Sequence, residues 1–214
     1  MLIRLRDLRT LSVRSEDGAH HQVADLLVRM DASDVTHVVT RLGGWRARQG
    51  CAIRVGAFGE PDLSRNEWPT AVSEADADAA GSGGAVAVLC APDAMPDPAD
   101  VARAEGSAPL AMLSTINGTR IVGSCGNEAG SVMDAVIDTQ GHRIAMLVLR
   151  TAGSDRGHQR VVPAETFEHV DWAAGEVRLN CEAGPVANSP DLHEVGGAIE
   201  GHWYNRVLAY YGFG

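Results

Sequence analysis

The stretch Gly130-Ser-Val-Met-Asp-Ala-Val-Ile-Asp138, then Thr139-Gln-Gly141, then Arg143-Ile-Ala-Met-Leu-Val-Leu-Arg-Thr151 decides the fold. Two short runs rich in Val, Ile, Leu and Met flank a loop that ends in glycine, which reads as a β-hairpin. Upstream, Thr119–Gly123 is a short β-branched run ended by glycine, and Cys125-Gly-Asn127 follows as a turn. Downstream, Arg160–Val162 precedes Pro163, which would interrupt a central strand and so marks an edge or a bend. His169–Trp172 and Glu176–Asn180 flank Ala173-Ala-Gly175, a second hairpin. Five or six short strands with tight turns and no helix-period segment predict a small antiparallel barrel, which leaves no exposed edge.

The same pattern occurs twice. A shift of 109 residues places Val23 on Val132, Asp25 on Asp134, Val39 on Val148 and Arg41 on Arg150. It also places Gly44 on Gly153, Phe58 on Phe167, Asp62 on Asp171 and Glu67 on Glu176. A one-residue slip in the preceding turn aligns Leu5 with Leu113, Leu8 with Ile116 and Gly18 with Gly126. The chain reads as a duplication, with one barrel over residues 1–72 and a second over 112–182. Residues 73–111, rich in Ala, Asp, Gly and Pro, read as a mostly irregular linker in which Ala85–Leu89 could add a strand to either barrel. In the tail, residues 183–214, Ser189-Pro190 reads as a helix start. Ile199, Trp203, Val207, Leu208 and Tyr211 then fall at helical spacing, and Gly212 reads as the stop. This amphipathic helix is expected to dock on a barrel.

Composition excludes several chemistries. All 18 basic residues among the 214 are arginine, so neither a Schiff-base lysine nor a P-loop is available. The formal net charge of −10 argues against direct nucleic-acid binding driven by overall charge. Much of that charge is local: residues 73–111 hold seven acids and one arginine. No signal-peptide stretch and no apolar run of membrane-spanning length occurs. Cys51, Cys90, Cys125 and Cys181 show no CxxC spacing, and buried free thiols in a reducing cytosol are the expectation. The chain is accordingly expected to be cytoplasmic, with no membrane association.

The unit Gly-X-X-apolar-apolar-Asp-X-apolar-apolar-Asp, followed by an apolar strand, a glycine loop and apolar-apolar-Pro, resembles the PRC-barrel. That domain is shared by the photosynthetic reaction-centre H subunit and the ribosome maturation factor. Gly130–Asp138, Ile144–Arg150, Gly153 and Val161-Val-Pro163 carry the likeness in the second unit. The first unit keeps Val23, Asp25, Val38-Val39, Gly43-Gly-Trp45 and Gly59-Glu-Pro-Asp62, and departs at Arg29 and Arg54. Asn188-Ser-Pro190 and Tyr210-Tyr-Gly212 resemble the tail of the bacterial subgroup with two such barrels in one chain. The resemblance implies a mainly all-β fold, two small PRC-type barrels in tandem with a short C-terminal helix, and a tendency toward protein–protein contact. It maps no catalytic residue, cofactor or metal.

Candidate sites follow from the repeat and the aromatics. Asp25 and Asp134 recur at matching strand positions, without a recurring His or Cys partner. They read as structural acids, paired with the recurring Arg41 and Arg150. The histidines, chiefly His20, His21 and His142, form no HxH or HxxxH array and read as exposed turn residues. No nucleophile elbow or phosphate-cradling loop occurs. Two places read as partner-binding: the loop bearing Trp45, Arg46 and Arg48, and the tail bearing Trp203, Tyr204, Tyr210 and Tyr211. The expected function is a non-enzymatic adaptor or assembly module with protein partners, homo-oligomers among them. A ribosome- or RNA-linked assembly factor, and a sensor or enzyme with a site between the barrels, are the rival readings.

Overall fold

The computed structural model of the chain describes residues 1–42, 49–76, 88–92, 94–151, 159–192 and 198–214. Its strands are β1 (Leu2–Arg4), β2 (Ser12–Arg14), β3 (His20–Arg29), β4 (Val35–Leu42), β5 (Gln49–Arg54), β6 (Glu67–Pro69) and β7 (Val88–Pro92). They continue with β8 (Leu110–Met112), β9 (Arg120–Val122), β10 (Glu128–Asp138), β11 (Arg143–Arg150), β12 (Arg160–Pro163), β13 (Phe167–Asp171) and β14 (Glu176–Leu179). The helices are α1 (Leu5–Leu8), α2 (Pro98–Glu105), α3 (Ala183–Ala187) and α4 (Gly201–Tyr210). The fold is mainly β, with two seven-stranded sheets and short helices.

Two units share these elements. The C-terminal unit comprises Met1–Leu5, Met30–Ser33 and Thr115–Gly214; the N-terminal unit comprises Arg6–Arg29 and Asp34–Ser114. In the C-terminal unit the strand order is β12-β11-β10-β9-β14-β13, with β1 added to β10. β12 and β13 lie at the two ends of this strip, yet only the 3-10 turn Ala164–Thr166 separates them in the chain. Pro163, which has no N–H to give, closes the terminal strand β12. No closed barrel forms among the described residues; the hydrogen-bonded strip is open at this one seam.

The N-terminal unit repeats this plan in detail. Its order is β6-β2-β3-β4-β5-β7, with β8 added to β3. The β3–β4 hairpin pairs Val23 with Thr40 and Asp25 with Val39 across a bulge. The β10–β11 hairpin pairs Val132 with Leu149 and Asp134 with Val148 across a bulge at the same place. Ser12 pairs in parallel with Glu67, as Arg120 does with Glu176. The duplicated spacing thus specifies register as well as strand number, because a slip of one residue would turn every apolar side chain outward.

One feature breaks simple tandem order. β1 opens the first repeat but pairs with β10, with Ile3 opposite Ile137. β8 stands at the equivalent place before the second repeat but pairs with β3, with Ala111 opposite Val28. Each repeat therefore lends its opening strand to the sheet of the other. The β3–β4 loop also belongs to the C-terminal unit, where Trp172 Nε1 donates to the Ala32 carbonyl at 3.0 Å.

Each unit covers the outer face of its main hairpin with a helix. In the C-terminal unit, Val136, Met146, Val148 and Val161 pack with Trp203 and Val207 of α4. β11 is consequently buried on both faces from Ile144 to Leu149, which explains why it reads as a continuous apolar run. In the N-terminal unit the equivalent Leu27, Val39 and Ala52 pack with Val101 and Ala102 of α2. Residues 73–111 are therefore more than the expected linker: β7 joins β5, and α2 is a covering helix. Asp97 caps α2 through Ala99 N–H at 2.8 Å, Pro98 fills its first position, and Gly106 (φ 59°) ends it in the left-handed region.

β7 brings a second correction. Cys51 of β5 and Cys90 of β7 sit opposite each other and form a disulfide, while Cys125 and Cys181 are free. The expectation of four free thiols fails for this pair, and the cytoplasmic expectation loses that support. No helix among the described residues is long and apolar enough to cross a membrane.

Candidate functional site

The tail of the C-terminal unit brings the aromatic candidates to one face and gives them different tasks. Ser189-Pro190 does not start the helix; α4 begins at Gly201. Ser189 is buried, and its Oγ accepts the Val161 N–H at 3.2 Å, so it extends the edge of β12 instead. Trp203 is buried in the core cluster under α4. Tyr204 is half-buried and its hydroxyl donates to Glu165 Oε1 at 3.1 Å. Burial, with Glu165 beside it, pushes the Tyr204 phenol up to about 12. Tyr211 donates to the Val161 carbonyl at 2.8 Å, and burial raises its phenol as well. Gly212 (φ 86°) ends α4: its N–H reaches the Ala209 carbonyl and that of Phe213 reaches Leu208.

Beyond these anchors lie Tyr210 and Phe213, which are 42% and 41% exposed and, with Leu63, are the exposed large apolar side chains among the described residues. Tyr210 stands edge-on to Tyr211, with ring centroids 5.2 Å apart, and its hydroxyl donates to the Pro185 carbonyl at 2.8 Å. Its ring is thus fixed in place while remaining open to solvent. Beside it a polar cavity of about 390 Å³ is lined by Arg160, Asn188, Ser189, Asp191, Arg206 and Tyr210, among others. The Asn188-Ser-Pro and Tyr-Tyr-Gly segments, 20 residues apart in sequence, meet at this cavity. A broader depression of about 520 Å³ lies on the β13–β14 hairpin, edged by Glu168, Asp171, Glu176 and Arg178.

The repeated acids act locally. Asp25 Oδ1 accepts the Leu26 N–H and Asp134 Oδ1 the Ala135 N–H, both at 2.8 Å. Each follows a bulge, where the ladder leaves an N–H without its cross-strand acceptor. Asp25 is buried and also accepts from the Ser114 N–H at 3.1 Å and from the Ser114 hydroxyl. Arg41 and Arg150 are exposed at their strand ends. Asp25 therefore takes Ser114 in place of the expected Arg41. Trp45, Arg46 and Arg48 lie outside the described residues.

The histidines divide. His20 is exposed, but its neighbour His21 is buried on the opposite face, 3.3 Å from Glu74 Oε1. His37, absent from the expected candidates, is 2% exposed; its Nε2 lies 2.9 Å from Glu105 Oε1, which also accepts from Arg54 Nε at 2.7 Å. The exposed-turn expectation is corrected for both. Alternation along Val35, His37 and Val39 already placed His37 on a covered face. No metal-binding group of His, Cys, Asp and Glu occurs among the described residues.

No family model matches the chain, and no curated protein matches it.

Proposed function

We propose that the chain is a tandem PRC-barrel protein of the two-barrel bacterial kind, acting as a non-enzymatic adaptor or assembly module through protein–protein contacts. The barrel reading is supported by the position of the seam. The ends of the six-strand strip, β12 and β13, are consecutive in the chain and joined by three residues, so the strip has to curl until its ends approach. The parallel pairing of β14 with β9, and of β6 with β2, returns the last strand of each repeat to the one that follows its opening strand.

The adaptor reading rests on one observation: Tyr210, fixed at the end of α4 by its hydroxyl bond to Pro185, and Phe213, just past that end, are exposed beside aromatics that are anchored. Aromatic side chains fixed at a surface are enriched at the centres of protein interfaces and lose little entropy when covered. The five tail aromatics thus separate into anchors (Trp203, Tyr204, Tyr211) and a contact pair (Tyr210 with Phe213).

The test is quantitative affinity capture with the full-length chain in its native host, alongside light scattering of the purified protein. A specific partner, or a second copy, should be retained by the wild type and lost at least fivefold by Tyr210→Ser/Phe213→Ser, with melting temperature unchanged. Equal retention by both chains would remove this surface from the function. Ribosomal proteins retained equally by both chains would favour the assembly-factor alternative.

A further inference from the structure

Both units cover the edge of one strand with an added segment that leads into the covering helix. In the C-terminal unit, residues 189–192 run along β12, where Asp191 bridges to Arg160, and α4 follows. In the N-terminal unit, β7 runs along β5, where Cys90 stands opposite Cys51, and α2 follows. The shift of 109 residues carries Cys51 onto Arg160 and its cross-strand partner Thr40 onto Leu149. The same position thus fastens the added segment in both units. The C-terminal unit uses hydrogen bonds there, among them Arg160 Nη1 to the Ser189 carbonyl at 2.6 Å and Leu192 N–H to the Gln159 carbonyl at 2.9 Å. The N-terminal unit uses the Cys51–Cys90 disulfide.

The helix beyond that disulfide is held mainly at its ends. α2 has eight residues, too few to persist alone in water, and it buries Val101 and Ala102 where α4 buries Trp203 and Val207. Its C-terminal end is tied down by Glu105, whose Oε1 accepts from Arg54 Nε at 2.7 Å and lies 2.9 Å from His37 Nε2. Its N-terminal end follows residues 94–96, which pass close over Gly50. The Gly50 N–H donates to the Ala94 carbonyl at 3.0 Å, and a Cβ on residue 50 would collide with that oxygen. Upstream of this run the anchor is Cys90. β7, α2 and the residues between them form a strap over β5 and over Leu27, Val39 and Ala52, fastened at one end by Cys90 and at the other by Glu105.

We propose that the Cys51–Cys90 bond is a redox-sensitive clamp on this strap, closed as the disulfide and released at the β7 end by a dithiol reductant. Cys51 is fully buried and Cys90 half-buried, so exchange starts at Cys90. A thiolate of the reductant bonds to Cys90 Sγ, the bond to Cys51 breaks, and Cys51 leaves as a thiolate that takes up a proton. The second thiolate of the reductant then attacks its own sulfur in the mixed disulfide. Cys90 leaves as a thiolate and is protonated in turn, and the reductant departs as a cyclic disulfide. One electron pair passes from the reductant to the protein. Without the bond, β7 is a terminal strand with one described neighbour, the kind of element that opens before the core. Its release lifts the N-terminal side of α2 and bares Leu27, Val39 and Ala52, while Glu105 keeps the far end in place. The clamp is independent of the adaptor reading, because it is measured on the isolated full-length chain.

The experiment follows hydrogen exchange of the full-length chain by mass spectrometry with the disulfide intact, after dithiothreitol, and after reoxidation by glutathione disulfide. Reduction should speed exchange at residues 101–105 about tenfold or more and leave residues 203–210 of α4 unchanged, and reoxidation should restore the slower rate. Cys51→Ser/Cys90→Ser should exchange at the reduced rate and ignore reductant, whereas Cys125→Ser/Cys181→Ser should respond as the wild type does. A Cys51–Cys90 bond that dithiothreitol leaves intact, exchange at residues 101–105 that reduction does not change, or an equal rise in α4 would overturn the clamp. A response that survives in Cys51→Ser/Cys90→Ser would overturn it as well.

Discussion

His37 and Glu105 face each other at 2.9 Å in the N-terminal unit, at the place where the C-terminal unit packs Met146 under Trp203. The two repeats solve one problem in two ways. Each must cover the outer face of its main hairpin, and one does so with an apolar seam while the other buries an imidazole against a carboxylate. The polar solution brings a dependence on pH that the apolar one lacks.

Both His37 and His21 are held below the usual imidazole value of 6.5, in each case first by burial, with nearby carboxylates opposing. The unfolded chain therefore takes up protons near that pH which the folded chain refuses. The stability that neutral histidines contribute is present at pH 7.5 and is lost as pH falls through 6.5. The melting temperature should drop between those values and pH 5.5. His37→Met, which copies the other repeat, should flatten the profile and leave the variant more stable than wild type at the acid end. Arg54 still pairs with Glu105 in that variant, so the carboxylate is not stranded. A profile in His37→Met as steep as in the wild type would assign the dependence elsewhere.

The covering helices should differ in cost when cut. Trp203 is 7% exposed, and replacing it by alanine removes most of the apolar contact between α4 and the sheet. Urea unfolding should show a loss of about 3–5 kcal/mol for Trp203→Ala. Tyr211→Phe forfeits one hydrogen bond, to Val161, for about 1 kcal/mol. Tyr210→Phe, whose hydroxyl bond is exposed, should stay within about 0.5 kcal/mol of the wild type. If Tyr210→Phe costs as much as Trp203→Ala, the division of the tail into anchors and a contact pair is wrong.

The exchanged strands predict an asymmetric response to truncation. Removing residues 1–5 takes β1 from β10 and leaves the N–H and C=O groups of Val136–Asp138 without their partner strand. β8 stays on β3 in that variant. Hydrogen exchange should accelerate at Val136–Asp138 and in the neighbouring β11, while amides of Leu27–Arg29 keep their protection. Loss of protection at Leu27–Arg29 alone would place β1 in the sheet of its own repeat.

What the sequence made legible was the part fixed by alternation and spacing. The β10–β11 hairpin, its counterpart, and the bulges at Asp25 and Asp134 all follow from apolar residues that must face inward together. The exchange of β1 and β8 was not legible, because Leu2–Arg4 and Leu110–Met112 carry no signal for which sheet they join. α2 was hidden by composition, although Asp97-Pro98 and Gly106 are a helix start and stop. Arg160 and Arg206 showed no motif at all; only the meeting of β12, the Asn188-Ser-Pro segment and α4 brings them to one cavity.

The disulfide gives the last expectation. Cys51 and Cys90 are 39 residues apart, and closing a loop of that length restricts the unfolded chain by about 4 kcal/mol in the chain-entropy account. β7 pairs with β5 and stands at the end of its sheet order, so the bond also holds a terminal strand in place. Reduction should lower the melting temperature of the wild type and increase exchange at the amides of residues 88–91 first. Cys51→Ser/Cys90→Ser should start from that lower stability and show no further response to reductant. Cys125 and Cys181 remain in the double variant, so any residual response would report on them. A wild-type melting temperature that reductant leaves unchanged would show that β7 is held by its ladder to β5 and by packing alone.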